Sequence, residues 1–117
     1  MSENIIWTVD GKIKDGERAA FDVVMYDLIE ASSKEEGTMH YEWYIGEDQS
    51  SIHVYERYQD AAAAMAHLET FGAHAERFLA AVVVTGFVVY SKLTPELEEG
   101  VAVLNPVNMT PFGGFVK

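Results

Sequence analysis

Two periods of hydrophobic residues alternate along the chain, and they predict its elements. "NIIWTVDGKI" is β-branched and roughly alternating, the pattern of a strand. Beyond Asp15 the period changes: Ala20, Phe21, Val24, Leu28 and Ile29 recur at helical spacing, with Asp22, Asp27 and Glu30 opposite. Asp15 is placed to cap this helix, and Gly37 supplies the turn after it. "TMHYEWYIG" and "SIHVYERY" follow, two aromatic and β-branched runs around "EDQS", which read as a hairpin. Asp60 caps a second helix, "AAAAMAHLETF"; Gly72 interrupts it and "AHAERFLAA" resumes the helical period. "VVVTGFVVYSK" reads as a buried strand because its apolar run is continuous. Thr94 and Pro95 open a short helix with Leu97, Val101 and Leu104 on its apolar face, and "NPVNMTPFGGFVK" is a turn-rich tail.

Strand, helix, strand, strand, helix, strand is the split βαββαβ order of a ferredoxin-like α+β fold, a four-stranded antiparallel sheet with both helices on one face. A single domain over 1–117 is expected, with its core at about 4–93 and a C-terminal short helix and tail at 94–117. If the hairpin loop is Glu47–Ser50, Tyr41 faces Glu56 and Trp43 faces Val54. Alternation then turns Met39, Tyr41, Trp43, Ile45, Ile52, Val54, Glu56 and Tyr58 towards the helices. His40, Glu42, Tyr44, His53, Tyr55 and Arg57 take the other face. With no helix left to cover it, that face most simply meets its equivalent on a second copy, which predicts a homodimer. The tail is too apolar to hang free. Phe112 and Phe115 are expected to pack on the domain or the partner, with Gly113 and Gly114 letting the tail bend over a pocket mouth.

Charge removes several function classes. A net charge of −11, with only eight Lys and Arg residues, disfavours nucleic acid and anionic membrane surfaces. The chain has no cysteine, hence no disulfide, thiolate nucleophile or cysteine-ligated metal. "MSENIIWTVD" lacks a basic segment before an apolar core, and Ala80–Tyr90 is about half the length of a membrane span, so a cytoplasmic protein is expected.

Two features carry candidate chemistry. Glu56 falls on the helix-covered face, where an ionised carboxylate is costly unless partnered. It reads either as a structural acid satisfied by a tyrosine hydroxyl, a backbone amide or Arg18, or as a base in a pocket between sheet and helices. His67, Phe71, His74 and Phe78 share nearly one helical face, provided Gly72 does not reset the phase. Seven residues of helix would hold the two α-carbons ~10.5 Å apart along the axis, whereas helix-borne ligand pairs sit three or four residues apart, so no metal site is predicted. Either the histidines lie at a watery rim, or the stripe walls a cleft against Tyr41 and Trp43, with His67 accepting a proton near neutral pH.

"EEGTMHYEWYIGED", "HVYERYQDAAAAMAHLETFGAH" and "TGFVVYSKLTPEL", in that order, resemble the antibiotic biosynthesis monooxygenase family over roughly Ile5 to Leu97. The resemblance implies a homodimeric α/β barrel with a pocket between each sheet and its helices. It also implies cofactor-independent oxygenation of a quinol, phenol or polyketide-like aromatic. The family's haem-degrading branch has an asparagine on strand one and a tryptophan on the second helix; this chain has Ile5, Trp7 and Thr8, and His67, at those places. What carries over is Glu56 in "YERY" and His67 in "AHL" as catalytic residues. Tyr41, Trp43, Tyr58, Phe71 and His74 are then the expected contacts to a small aromatic molecule, with no cofactor and no metal. A non-catalytic binding protein and a non-oxidative isomerase or decarboxylase are the alternatives on the same scaffold.

Overall fold

The computed structural model describes residues 3–117. Its central strand is β1 (Ile5–Ile13), which pairs antiparallel with β3 (Ser51–Tyr58) on one side and β4 (Val82–Val89) on the other. β2 (Thr38–Ile45) pairs with β3, and β5 (Val107–Asn108) lies parallel beside β4. The order β2-β3-β1-β4-β5 is the ferredoxin-like arrangement with one strand added. The sheet is therefore mixed and five-stranded rather than antiparallel and four-stranded. The extra strand follows from Asn105, whose left-handed backbone (φ 53) turns the chain back along the edge. The Met109 amide then donates to the Val89 carbonyl at 2.7 Å.

Local expectations are corrected in the first helix, in β4 and in the hairpin. The first helix, α1 (Arg18–Ser33), starts beyond the reach of Asp15: Gly16 takes φ 79 and Glu17 occupies the cap position without a side-chain bond. Its buried stripe is Phe21, Val24, Leu28 and Ser32, while Ala20 faces solvent. β4 is not buried on both faces; burial alternates along it, because the helices cover only one side of the sheet. The hairpin register is as expected, Tyr41 opposite Glu56 and Trp43 opposite Val54, but a bulge after Thr38 turns Met39 out to 57% exposure, and Ile45 at the strand end is also exposed. Asp48 closes the loop, accepting from the Ser50 and Ser51 amides (2.9 and 2.8 Å) and the Ser51 hydroxyl, which hold its carboxyl down at about 2.

Gly72 does break the second helix. α2 (Ala61–Gly72) is capped by Asp60, whose carboxylate accepts from the Ala63 amide at 2.9 Å, and α3 (Ala75–Ala81) restarts after His74. The fourth helix, α4 (Pro95–Val101), is capped by Thr94, and Leu97 and Val101 are fully buried. Two apolar clusters result. One joins Trp7, Tyr58, Phe87 and Val89 to α2 and α4; the other joins Ile13, Ile52 and Val82 to α1 and α3. The start of β2 touches α2 directly: a β-carbon on Gly37 would lie 2.4 Å from that of Ala63.

The opposite sheet face carries its own pairs, His40 with Glu42 (2.8 Å), Tyr44 with Glu42 (2.7 Å) and His53 with Asp10 (2.7 Å). Phe112 and Phe115 are exposed and do not pack on their own domain, since the chain leaves the sheet after the two residues of β5; of the two places expected for them, only the partner is left. Among the described residues no helix is long and apolar enough to cross a membrane.

Candidate functional site

Where the two clusters meet, between sheet and helices, lies a hollow of about 40 Å³. Tyr41 and Trp43 reach it from β2, Glu56 from β3, and His67 and Phe71 from α2; Leu104, from the turn after α4, closes one side. That is room for a few waters and is small beside the ~300–1,000 Å³ of common ligand pockets.

Period-two alternation on β3 puts Ile52, Val54, Glu56 and Tyr58 on the buried side, so one acid stands in an otherwise apolar and aromatic row. Its desolvation is offset at a single oxygen. Glu56 Oε1 accepts from Trp7 Nε1 at 2.9 Å and from the Tyr58 hydroxyl, and His67 Nε2 lies 3.2 Å away. The tyrosine hydroxyl is thus the partner among those expected, and Arg18 pairs with Asp22 on its own helix instead. Because these partners converge on Oε1, Oε2 is left for whatever occupies the hollow that Glu56 lines.

His67 is 2% exposed, so it does not sit at a rim in water. Its ring meets Tyr41 edge-on at 5.1 Å and lies against Tyr58 at 5.0 Å. On its far edge Nδ1 is 3.1 Å from Glu35 Oε1 and 3.4 Å from Ser32 Oγ, and Thr38 donates to the same Glu35 oxygen at 2.7 Å. Glu35, in the turn between α1 and β2, is a member of the site that sequence reasoning missed. The only available signal was its place just before Gly37, which brings β2 against α2.

Burial alone would lower the His67 pKa, but the Glu56 carboxylate and then Glu35 outweigh it, and the imidazole stands above its usual value. The His67 ring lies between two acidic partners, Glu35 at Nδ1 and Glu56 at Nε2, both of which favour the protonated form. Both phenols are held neutral. Burial first, then the Glu56 charge, pushes Tyr41 and Tyr58 far above the ordinary tyrosine value. At Tyr41 the nearby Trp43 and Ser32 side chains offset part of this. The Trp43 indole N–H lies outside hydrogen-bonding geometry, and like Glu35 Oε2 it is buried without a partner.

The structure brings together Tyr41, Trp43, Glu56, His67 and Phe71 around the hollow, with Tyr58 one bond behind Glu56. His74 is not among the lining residues; the break at Gly72 turns it away, and its Nδ1 donates to the Thr70 carbonyl at 2.9 Å. Phe78, on α3, does return, its ring 5.6 Å from that of Phe71. Among the described residues no group of three or more histidine and acidic side chains is arranged to hold a metal ion.

The model of the family described as antibiotic biosynthesis monooxygenase matches residues 8–84. No curated protein matches the sequence. Among solved structures, MupZ from Pseudomonas fluorescens superposes with a TM-score of 0.88 at 19% identity, covering 100% of this chain and 91% of that one. A putative antibiotic biosynthesis monooxygenase from Nitrosomonas europaea has a TM-score of 0.69 at 21% identity, covering 81% and 95% of the two chains. SnoaB from Streptomyces nogalater, a cofactor-independent oxygenase, has a TM-score of 0.67 at 14% identity, covering 80% and 96%. At such identities the likeness is one of fold.

Proposed function

Because the chain belongs to the antibiotic biosynthesis monooxygenase family, we propose that it is a cofactor-independent monooxygenase that oxidises a small quinol or phenol with O₂ and works as a homodimer. The observation that carries this reading is a carboxylate with one unengaged oxygen, lining an aromatic hollow and backed by an imidazole 3.2 Å away. Glu56 Oε2 accepts the phenolic proton, and the His67 imidazolium stabilises the anion that forms. That anion is electron-rich enough to pass an electron to O₂. Oxygen then adds at a ring carbon bearing hydrogen: a phenol with a free para position and O₂ give a quinone and water, one oxygen atom in each product. Tyr41, Trp43 and Phe71 hold the ring and exclude water while the intermediate lasts. Tyr58 acts from behind by fixing Glu56, and His74 has no part. At about 40 Å³ the hollow is well below the ~150 Å³ cavity that admits benzene, so a substrate ring enters only as its walls move apart. A fused polyketide would need more movement than a single ring.

Aerobic incubation with a panel of single-ring hydroquinones and phenols, followed by an oxygen electrode, tests this. Uptake should exceed that of a boiled control and vanish in Glu56→Gln; none above the control across the panel removes the oxygenase reading. One observation favours a second reading. His67 Nε2, 3.2 Å from Glu56 with its pKa raised by that carboxylate, makes with it an acid–base pair suited to moving a proton without oxidation, as an isomerase or decarboxylase would. Turnover that persists when O₂ is removed selects it.

A further inference from the structure

We propose that Glu35 is a positioning residue for His67: it accepts a hydrogen bond from Nδ1–H in both charge states of the ring and so leaves Nε2 as the nitrogen that exchanges a proton at Glu56 and the hollow. This deepens, and rests on, the assignment of the hollow as the reaction site.

The argument is a competition between two carboxylates for one proton. Glu56 Oε1 already accepts from Trp7 and Tyr58, so it keeps two donors when His67 supplies none. Glu35 has less. Thr38 donates to its Oε1, its Oε2 is buried without a partner, and its remaining neighbour is the imidazole edge. An ionised carboxylate so placed loses more from a missing N–H donor than Glu56 does. Ser32 Oγ, at 3.4 Å, is the weaker second neighbour of Nδ1 and carries no charge. The other ionisable groups facing the ring are Glu56 and Tyr58 from β3 and Tyr41 from β2, and both phenols are held neutral. When His67 holds a single proton, that proton therefore belongs on Nδ1. An unconstrained histidine side chain favours the opposite tautomer, which makes the assignment a discriminating one. The arrangement follows the logic by which a buried acid orients a catalytic imidazole.

The test is nitrogen NMR of the ¹⁵N-labelled full chain across a pH titration, with His67→Gln identifying the His67 signals among the four histidines. Above its titration, His67 should carry its proton on Nδ1. Glu35→Gln keeps an acceptor for both Nδ1 and Thr38 but removes the charge. The His67 proton affinity should then fall about tenfold or more, and the neutral ring should move towards the Nε2–H form, where it serves the remaining carboxylate. An Nε2–H tautomer in the unaltered protein, or a less than about twofold change in Glu35→Gln, overturns the proposal. If Glu35→Gln does not fold, the tautomer of the unaltered protein decides alone. These signals do not depend on turnover, so an absence of O₂ uptake with an Nδ1–H tautomer sinks the oxygenase reading and leaves the role of Glu35 standing.

Discussion

Glu56 can be altered in two ways that separate its acceptor oxygen from its charge. Glu56→Gln retains an oxygen for Trp7 Nε1 and the Tyr58 hydroxyl; Glu56→Leu has similar reach and offers no acceptor. In the glutamine variant two charge-assisted bonds become neutral ones, a loss of about 1 kcal/mol each, or about 2 kcal/mol. In the leucine variant two buried donors have no partner, at about 1–3 kcal/mol each, less about 1.5 kcal/mol returned by burying the apolar side chain. Taking the middle of each range, Glu56→Leu loses about 2.5 kcal/mol and Glu56→Gln about 2 kcal/mol, so both should unfold about 2–3 kcal/mol more easily than the unaltered protein. Urea unfolding followed by tryptophan fluorescence measures this directly, because both tryptophans, Trp7 and Trp43, line the hollow. Turnover should fall about 10²- to 10⁴-fold in both variants, the usual worth of a general base. A leucine variant as stable as the unaltered protein would refute the claim that Oε1 organises buried donors. A glutamine variant with full turnover would refute the claim that the charge of Glu56 takes the proton.

Other consequences follow from the same geometry. The folded-state pKa of His67 is raised, so its ion pairs stabilise the fold in full below the unfolded value of about 6.5, and that contribution is lost as pH rises through the folded value. The unfolding free energy should thus decline as pH climbs above about 6.5, at up to about 1.4 kcal/mol per unit, with a flatter slope in His67→Gln; a level profile for the unaltered protein contradicts the assignment. Gly37→Ala forces a methyl group to within 2.4 Å of Ala63 and must push α2, which carries His67, off the sheet. A stability loss of about 1–3 kcal/mol and a reduced kcat are expected, and an unperturbed melting temperature would show the contact to be slack. Val84 lines the hollow, so Val84→Ile should raise stability by about 0.8 kcal/mol through one more buried methylene while raising KM; unchanged kinetics would place the substrate elsewhere.

The order of elements, the hairpin register and the caps at Asp60 and Thr94 were legible in the sequence, because each rests on local periodicity or on a side chain bonding a few residues away. Glu56 was visible as an acid in an apolar row for the same reason. What the sequence left open was decided by approach between distant segments. Whether His67 lay at a rim or over the aromatic patch depended on Gly37 letting β2 touch α2. The loss of His74 and the return of Phe78 depended on how far Gly72 rotated the second half of the helix. Glu35 was beyond reach altogether: its oxygen meets His67 across 32 residues of chain, and no period along the sequence encodes that distance. The sequence by itself determined which faces are apolar, since alternation and helical spacing are properties of one segment. Only the tertiary structure decided which charged groups share the space between those faces. A buried charge is tolerated only where partners from several segments arrive together, and their arrival depends on packing.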